Sequence, residues 1–481
     1  MGQKKKPAKR DEKSLAAVEK LSEMVRREVR ARLGPDASYE ERRDAAAALM
    51  SEVLWKDEER DLQESVSEGD EVDVDGKRYR RLEQSSSATY CGRWGPHRIE
   101  EALYREVGVH NGPTIKPIEL RVGMIARHMT PDLARLVGAL SADHSSREVE
   151  KTMRTVGLVP PSRAFLEKRF KQMAQEVVEQ IGALEEAARE ATALPVEVAS
   201  VSCGLDRFSV RMSEPAEGEL AAPPHRTEPY ERTPPPPKEH HYRKAWVGTT
   251  TAYDKQGREL HTWRYSVEAD ADQNALADRV VADVAWILAA HPTIPVHCIQ
   301  DAAPELRALP EALVRVLPAA GTFCELVDLE HLLKYYLDKV VDACEPEGDP
   351  HNMKSWYRHQ LLHDDGAIDR IFRRLREKGK KLSIDQATQR KAVGAAISYI
   401  RKRKNKMRYA SFYAAGLPIG SGATESTCWA MQRRVQRPGQ SWETVGLRAT
   451  LAIRALVLSE RWSTAWKPYS ASHRKVVQCV N

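Results

Sequence analysis

The sequence lacks paired cysteines. Its seven cysteines are an odd number in 481 residues, and no two of them form a Cys-x-x-Cys motif. A zinc ribbon and a framework of disulfide bonds are therefore not expected, and a reducing cytosol fits this cysteine usage best.

Long apolar segments are also missing. No run approaches the roughly 18 apolar residues of a membrane helix. The basic start, Met-Gly-Gln-Lys-Lys-Lys, lacks the apolar segment of a signal peptide. We expect a cytoplasmic protein with no membrane partner, whose first residues form a disordered leader.

Neither sign of charge dominates the composition. The 75 Lys and Arg residues outnumber the 69 Asp and Glu residues, which leaves a net charge of +6. This mildly basic balance permits a nucleic-acid partner without proving one. The hydrophobic fraction of 41% is enough for a buried core. The length exceeds that of a usual single domain, so we expect several structural units.

Residues 1–129 read as an accessory or oligomerisation region of helices and a hairpin. A helical pattern from Ser14 is interrupted at Gly34-Pro35, and Ser38 with Glu41 predicts a capping box for a second helix. Asp75-Gly76 predicts the turn of a hairpin over residues 71–82. We assign no chemistry to this region.

Residues 130–190 predict three helices. Thr130-Pro131 begins the first, Ser145 caps a second that ends at Gly157, and Ser162 precedes a basic third. This is the pattern of a helix-turn-helix, which places its last helix in the major groove. A three-helix bundle without DNA function fits equally well. The candidate DNA-binding residues here are Arg163, Lys168 and Arg169.

Residues 191–340 predict an α/β core. Strand-like runs at 196–212, 244–253 and 259–267 precede a helix over 273–290 and strands at 294–300 and 322–327. An RNase H-like sheet has this order of elements: three strands, a helix, a strand, a helix and a strand. The Pro-rich segment 213–241 reads as an insertion in a hairpin. A basic helical insertion over 341–415 and core helices over 416–481 complete the predicted fold, which follows a mainly α-helical N-terminal region.

Three carboxylates occupy the places where such a core could bind metal. Asp206 and Asp301 follow strands, and Glu425 lies in the first turn of a helix after Gly420-Ser421-Gly422, where Ser421 is expected to cap. Cleavage of a phosphodiester without a covalent intermediate can use two Mg²⁺ or Mn²⁺ ions about 4 Å apart, held by such hard oxygen ligands. Taken singly, an Asp after a strand is more often a turn or cap residue, and a first-turn Glu usually complements the helix dipole.

The motifs around these carboxylates carry a family resemblance. Gly416-Leu-Pro-Ile-Gly-Ser-Gly-Ala-Thr-Glu425 is followed by Gln436-Arg437, Gly439 and Trp442, while Ser202-Cys-Gly-Leu-Asp206 and Ile299-Gln-Asp301 lie upstream. Val327-Asp328-Leu-Glu-His331 contains an Asp-x-x-His element. Over residues 93–466 the sequence resembles bacterial insertion-sequence transposases of the ISKra type, which are relatives of the Mutator-like DDE transposases.

The resemblance implies a function. Asp206, Asp301 and Glu425 would be the catalytic, metal-binding triad, with two Mg²⁺ or Mn²⁺ ions as cofactors. Water would cleave a transposon end, and the freed 3′ hydroxyl would attack target DNA. The implied partners are double-stranded DNA ends, target DNA and further copies of the chain, in the nucleoid of a bacterium. Two departures are the absence of zinc-ribbon cysteines and Ala-Ala-Pro after Asp301, where relatives often have Asp-Gly.

Other residues have two readings each. The resemblance implies that Asp328 and His331 position DNA or the metal ligands, whereas their spacing equally suits an N-cap and a histidine satisfied by it. Basic residues near the triad favour contacts with the DNA backbone, although a charge run is often only a solvated face. These are Lys402, Arg403, Arg433, Arg434 and Arg437.

Two rival functions share the same sequence features. One is a metal-dependent nuclease or resolvase of RNase H-like fold. The other is a DNA-binding protein derived from a transposase that has lost catalysis.

Overall fold

The structure is a computed structural model that describes residues 12–215, 238–268, 271–317, 323–344 and 350–480. The expected leader at residues 1–6 and most of the Pro-rich segment, residues 216–237, lie outside these ranges. The chain divides into two compact units, one of residues 1–173 with 469–481 and one of residues 174–468. No helix in the described ranges has the length and apolarity needed to cross a bilayer.

The described residues form eighteen α-helices and ten strands. The helices are α1 Glu12–Leu33, α2 Tyr39–Glu64, α3 Pro117–Val122, α4 Pro131–Asp143, α5 Ser146–Thr155, α6 Arg163–Glu179, α7 Ile181–Glu190, α8 Gln273–Ala290, α9 Ala308–Val316, α10 Leu329–Leu332, α11 Asp338–Cys344, α12 Pro350–His363, α13 Ala367–Lys381, α14 Ala387–Arg403, α15 Tyr409–Ala414, α16 Gly422–Val435, α17 Thr444–Leu458 and α18 Trp462–His473. The strands are β1 Glu71–Val74, β2 Lys77–Cys91, β3 Pro96–Glu106, β4 Thr114–Ile115, β5 Ser200–Pro215, β6 Lys238–Tyr253, β7 Glu259–Val267, β8 Val296–Gln300, β9 Phe323–Val327 and β10 Val477–Val480.

The first unit contains more sheet than its sequence predicts. Its strands pair antiparallel in the order β10-β1-β2-β3-β4. The predicted hairpin is confirmed, with Asp75 and Gly76 both at positive φ between β1 and β2. The expectation of a mainly helical region is incomplete, because β2 is exposed along most of its length and lacks the apolar alternation that marks a half-buried strand.

The predicted helix starts of the first unit are confirmed. Ser38 and Glu41 form the capping box of α2, with a 2.7 Å bond from the Ser38 N–H to the Glu41 carboxylate. Ser145 and Glu148 do the same for α5. The helix α4 has Pro131 in its first turn and runs to Asp143.

One carboxylate of the first unit is buried without a cationic partner at bonding distance among the described contacts. Glu101, on β3, is 4% exposed and accepts a 2.9 Å hydrogen bond from the backbone N–H of Ile118. Burial raises the pKa of Glu101 to about 7, against 4.5 for a free glutamate. This carboxyl therefore stays protonated up to a higher pH than a free glutamate does.

The second unit is built on a five-stranded mixed sheet. The strand order is β7-β6-β5-β8-β9. Strand β6 is antiparallel to both β5 and β7, whereas β8 and β9 run parallel to β5. The predicted succession of three strands, helix, strand, helix and strand is confirmed. Strands β5 and β6 pair from Ser200↔Tyr253 to Pro215↔Lys238, so they extend into the Pro-rich segment from both sides.

Helices cover both faces of this sheet. On one face, Leu276 and Val280 of α8 and Leu313 of α9 pack against Cys203 and Leu205 of β5. On the other face, apolar residues of α16 and α17 pack against the alternate residues of β5. Successive side chains of a strand point to opposite faces, so the apolar residues of β5 up to Leu205 face one layer of helices and those from Phe208 onwards face the other. The helices α10 to α14 form a further core with β9.

A buried ionic network connects Asp283 of α8 with Arg461, which directly precedes α18. Asp283 is 0% exposed, and Arg461 donates to both of its oxygens at 2.8 Å. Tyr265 also donates to Asp283, and Arg189 lies 3.3 Å away. The charges are thus compensated in a site closed to water, which makes their removal costly.

Candidate active site

Two of the three candidate carboxylates lie at neighbouring strand ends. Strands β5 and β8 are parallel, with Cys203 opposite Cys298. Extended by three residues, this register places Asp206 opposite Asp301. The negative charge of Asp301 contributes to raising the pKa of Asp206, which agrees with their proximity. The strand register, which the sequence alone does not reveal, brings these two residues together.

Gly204 allows the third element, α16, to approach β5. A Cβ atom at this position would lie 2.5 Å from the carbonyl oxygen of Ile299 and 2.8 Å from Oγ1 of Thr424. Thr424 is 3% exposed and shares a 2.6 Å hydrogen bond with Thr249 of β6. The first turn of α16 therefore packs directly against the central strands β5 and β6.

Glu425 follows Thr424 and lies on the exposed side of α16. Partial burial raises the pKa of its carboxyl, and the negative charges of Asp328 and Asp206 raise it further. Lys334 acts in the opposite direction. Asp206 is thus electrostatically coupled to both other members of the predicted triad.

The carboxylate of Asp206 is held from two sides. Its Oδ1 accepts a 2.7 Å hydrogen bond from the N–H of Arg207, and its Oδ2 accepts one from the thiol of Cys428 at 3.2 Å. Burial is the largest cause of its raised pKa, and both hydrogen bonds oppose that rise. Cys428 lies one turn after Glu425, so α16 both carries one carboxylate and orients another.

The loop after Asp301 is braced by α14. The Tyr399 hydroxyl donates to the carbonyl oxygen of Asp301 at 2.8 Å, and Arg403 donates to the carbonyl of Ala302 at 2.9 and 3.1 Å. Ala302 has a φ of +54°, a conformation that glycine adopts without strain. The chain thus has an alanine in a backbone conformation that favours glycine.

Asp328 links β9 to the start of α16. Asp328 is 2% exposed, and its Oδ1 accepts a 2.7 Å hydrogen bond from the backbone N–H of His331. Through this bond Asp328 caps the N-terminus of α10. Its Oδ2 accepts bonds from both the backbone N–H and the hydroxyl of Ser421. The N-cap interpretation of Asp328 is confirmed. Ser421 is the N-cap residue of α16, as expected, but it makes no side-chain capping bond, and its hydroxyl donates to Asp328.

His331 lies beside the carboxylates with its ring against tyrosines. Its ring centroid is 4.7 Å from that of Tyr335. Burial lowers the pKa of His331, and the charges of Asp301, Asp328 and Asp206 partly offset that effect. These electrostatic effects connect three aspartates, one glutamate and one histidine in a single cluster.

The donor chemistry of this cluster suits a hard divalent cation, because carboxylate oxygens are its preferred ligands. Burial is the largest cause of the raised pKa values of Asp206 and Glu425, and a cation would relieve the repulsion between carboxylates that adds to it. Within the described ranges, however, no three His, Cys, Asp or Glu side chains are arranged as a set that could hold a metal ion. The oxygens of Asp206 and one oxygen of Asp301 are turned towards internal donors.

The predicted DNA-binding residues differ in exposure. Arg163, Lys168, Lys402 and Arg433 are exposed, whereas Arg169, Arg403 and Arg437 are half-buried. Arg434 is only 5% exposed, and its guanidinium lies 5.1 Å from the ring centroid of Trp442, so it packs inside the unit instead of facing solvent.

All three half-buried arginines have internal contacts, and Arg437 donates to the carbonyl oxygen of Arg433 at 3.4 Å. Arg169 donates to Gln172 at 2.9 Å, and burial lowers its pKa. Arg403 braces the loop after Asp301, as described above. Sequence reasoning missed this role of Arg403 and that of Cys428, because neither lies in a strand-end motif.

Comparison with known proteins adds little to this geometry. No protein-family model matches the chain, and no curated protein matches it. Among solved structures, the chain is similar to a Mos1 transposase paired-end complex with left transposon end. The identity is 15%, over 60% of this chain and 79% of that chain, with a TM-score of 0.15. A TM-score this low carries no argument about fold or function, so the functional case rests on the chain's own residues.

Proposed function

We propose that this chain is a DNA transposase of an insertion sequence that cleaves transposon ends and joins them to target DNA by the DDE mechanism. The observation that carries the proposal is the convergence of Asp206 and Asp301 at parallel strand ends with Glu425 on the helix seated over them. The strand order β7-β6-β5-β8-β9 supports an RNase H-like core. The helices α11 to α15 form the insertion between β9 and the helix that carries Glu425.

Asp206, Asp301 and Glu425 are the residues that would hold two divalent ions. Such ions supply charge neutralisation on the attacking and leaving oxygens of a phosphodiester. The chain contributes the positions of the three carboxylates. Cys428 orients Asp206, Tyr399 and Arg403 fix the loop of Asp301, and Asp328 fixes the start of α16 through Ser421.

The proposed reaction has two substitution steps at phosphorus. Water breaks the bond to the 3′ oxygen at a transposon end, which frees a 3′ hydroxyl. That hydroxyl then attacks a target phosphodiester, forming one P–O bond and breaking another. Correct placement of the two DNA molecules supplies much of the acceleration of such steps.

DNA binding in this proposal uses the exposed basic residues. Arg163 and Lys168 on α6 belong to the proposed helix-turn-helix, and Lys402 and Arg433 belong to the second unit. Each phosphate contact made by such a residue steepens the salt dependence of duplex binding by about 0.9 in log–log slope. Pairing of two ends implies two or more copies of the chain.

The test uses the full-length chain with DNA that carries the sequences flanking its gene, a plasmid target and Mg²⁺ or Mn²⁺. We expect nicked ends with free 3′ hydroxyls and joined plasmid products. Glu425→Gln should reduce both by more than about a hundred-fold. Glu311→Gln, a first-turn glutamate of α9, is the matched control and should retain activity.

Other outcomes would replace the proposal with one of its rivals. Cleavage without joining would identify a nuclease or resolvase. Binding of the DNA without cleavage, unchanged by Glu425→Gln, would identify a transposase-derived DNA-binding protein.

A further inference from the structure

A groove of about 490 Å³ lies beside His331. One wall is formed by Tyr335, Tyr336 and Lys339, and the other by residues of α14 that include Thr388 and Lys391. Its volume is within the range of about 300–1,000 Å³ for pockets that enclose a small ligand.

The lining of the groove combines aromatic and cationic side chains. Tyr335 is 45% exposed, and the amino groups of Lys334 and Lys339 each lie 5.4 Å from its ring centroid. Tyr336 is fixed by stacking on Tyr399, with ring centroids 3.9 Å apart. No acidic residue is among the described residues that line the groove. Its charge is therefore complementary to an anionic ligand with a flat apolar face.

The backbone under the tyrosines is unusual. Residues Leu333–Leu337 form a π-helical turn between α10 and α11, and this turn carries both Tyr335 and Tyr336. Such turns are rare and are frequently found at functional sites. The turn is an observation independent of the composition of the groove.

The groove begins at the candidate active site. His331 contributes to its lining, and the same ring has Asp301, Asp328 and Asp206 as charged neighbours. A ligand in the groove therefore lies next to the carboxylates.

We infer that the groove binds an unpaired segment of DNA next to the phosphodiester that is cleaved. This inference rests on the proposed function and adds a substrate feature to it. A base stacks on Tyr335, while phosphates pair with Lys339 and Lys391. A base inside a duplex has both faces covered by its neighbours, whereas an unpaired base offers a face to an aromatic side chain.

Binding without cleavage tests the inference. The full-length chain in EDTA is titrated into fluorescent DNA duplexes that are either blunt or carry a short 3′ overhang containing 2-aminopurine. We expect tighter binding of the overhang and quenching of 2-aminopurine by stacking. Tyr335→Ala should weaken overhang binding roughly ten-fold and remove the quenching, because stacking on an aromatic side chain contributes ~1–3 kcal/mol per base.

Three further variants separate stacking, charge and general damage. Tyr335→Phe should retain the quenching, since the ring remains. Lys391→Ala should reduce the salt slope of overhang binding by about 0.7, the value for one phosphate of a single strand. Tyr242→Ala, which removes a 73% exposed tyrosine of β6, is the control and should bind as the unchanged chain does.

The inference is overturned if Tyr335→Ala binds the overhang normally, or if it weakens blunt and overhanging DNA equally. A different result would contradict the proposed function. If the overhang is bound through Tyr335 but no cleavage depends on Glu425, the groove stands as a single-strand site and the transposase assignment falls.

Discussion

Gly204→Ala is the substitution that best tests how the site is assembled. The added methyl group would lie 2.5 Å from the carbonyl oxygen of Ile299 and 2.8 Å from Oγ1 of Thr424. The first contact must lengthen by at least 0.5 Å to reach 3.0 Å, below which Cβ atoms are essentially never found. Neither neighbour moves freely, since Ile299 lies in a central strand and Thr424 is bonded to Thr249.

The expected cost follows from this crowding. Inserting a methyl group into a packed core costs about 1–3 kcal/mol of unfolding free energy. If α16 moves away from β5, Glu425 moves away from Asp206, and a displacement of about 1 Å at a reacting centre costs roughly a hundred-fold in rate. Gly204→Ala should therefore lower both the urea midpoint and the rate of DNA-end cleavage.

The matched control is Gly394→Ala. Gly394 lies in α14, and a Cβ there would have no atom within 4 Å. Alanine has the higher helix propensity, so this variant should be as stable as the unchanged chain or up to about 1 kcal/mol more stable. A Gly204→Ala protein with unchanged midpoint and cleavage rate would refute the close-approach argument.

Three further predictions concern single carboxylates. Asp283→Asn should lower the unfolding free energy, measured by urea titration, by about 3–5 kcal/mol, because it leaves Arg461 buried without a full counter-charge. As a control, Asp278→Asn, at an exposed position of the same helix, should change the unfolding free energy little. Glu101 has a pKa raised to about 7, so its protonated form is favoured on folding and the stability of the first unit falls as pH rises from about 4.5 to 7. Glu101→Gln should remove that fall and stabilise the unit at pH 8 by on the order of 2 kcal/mol, measured as a flattened pH profile of unfolding; an unchanged profile would contradict the assignment. Asp328→Asn should reduce cleavage at least about ten-fold while leaving duplex binding intact, since one bonded oxygen of the loop anchor becomes an amide; equal loss of binding would indicate a structural defect instead.

Local sequence signals predicted the elements better than their arrangement. Apolar periodicity correctly located the helix over residues 273–290 and the succession of strands in the core. It could not predict that β5 and β8 align in the register that sets Asp206 beside Asp301, because register is decided by packing between distant segments.

The errors have physical causes of the same kind. Ser421 is the N-cap residue of α16 but forms no side-chain capping bond, and its hydroxyl donates to a buried carboxylate at the end of β9 that no local pattern places beside it. Cys428 carries no motif, and its bond to Asp206 exists only once α16 packs on β5. Strand β2 is largely exposed, so its residues show no apolar alternation beyond the predicted hairpin.

The pairing of β10 with β1 has a consequence for synthesis. Val74 and Val477 are partners in the sheet but lie 477 − 74 = 403 residues apart. At roughly 5–20 residues per second, the ribosome needs about 20 to 80 s to deliver the second after the first. During that interval the outer edge of β1 has free backbone N–H and C=O groups, which in a nascent chain attract other strands. The first unit is therefore the first to be synthesised, but its sheet is the last to be completed. The yield of the folded unit should depend on how well the edge of β1 is shielded during translation.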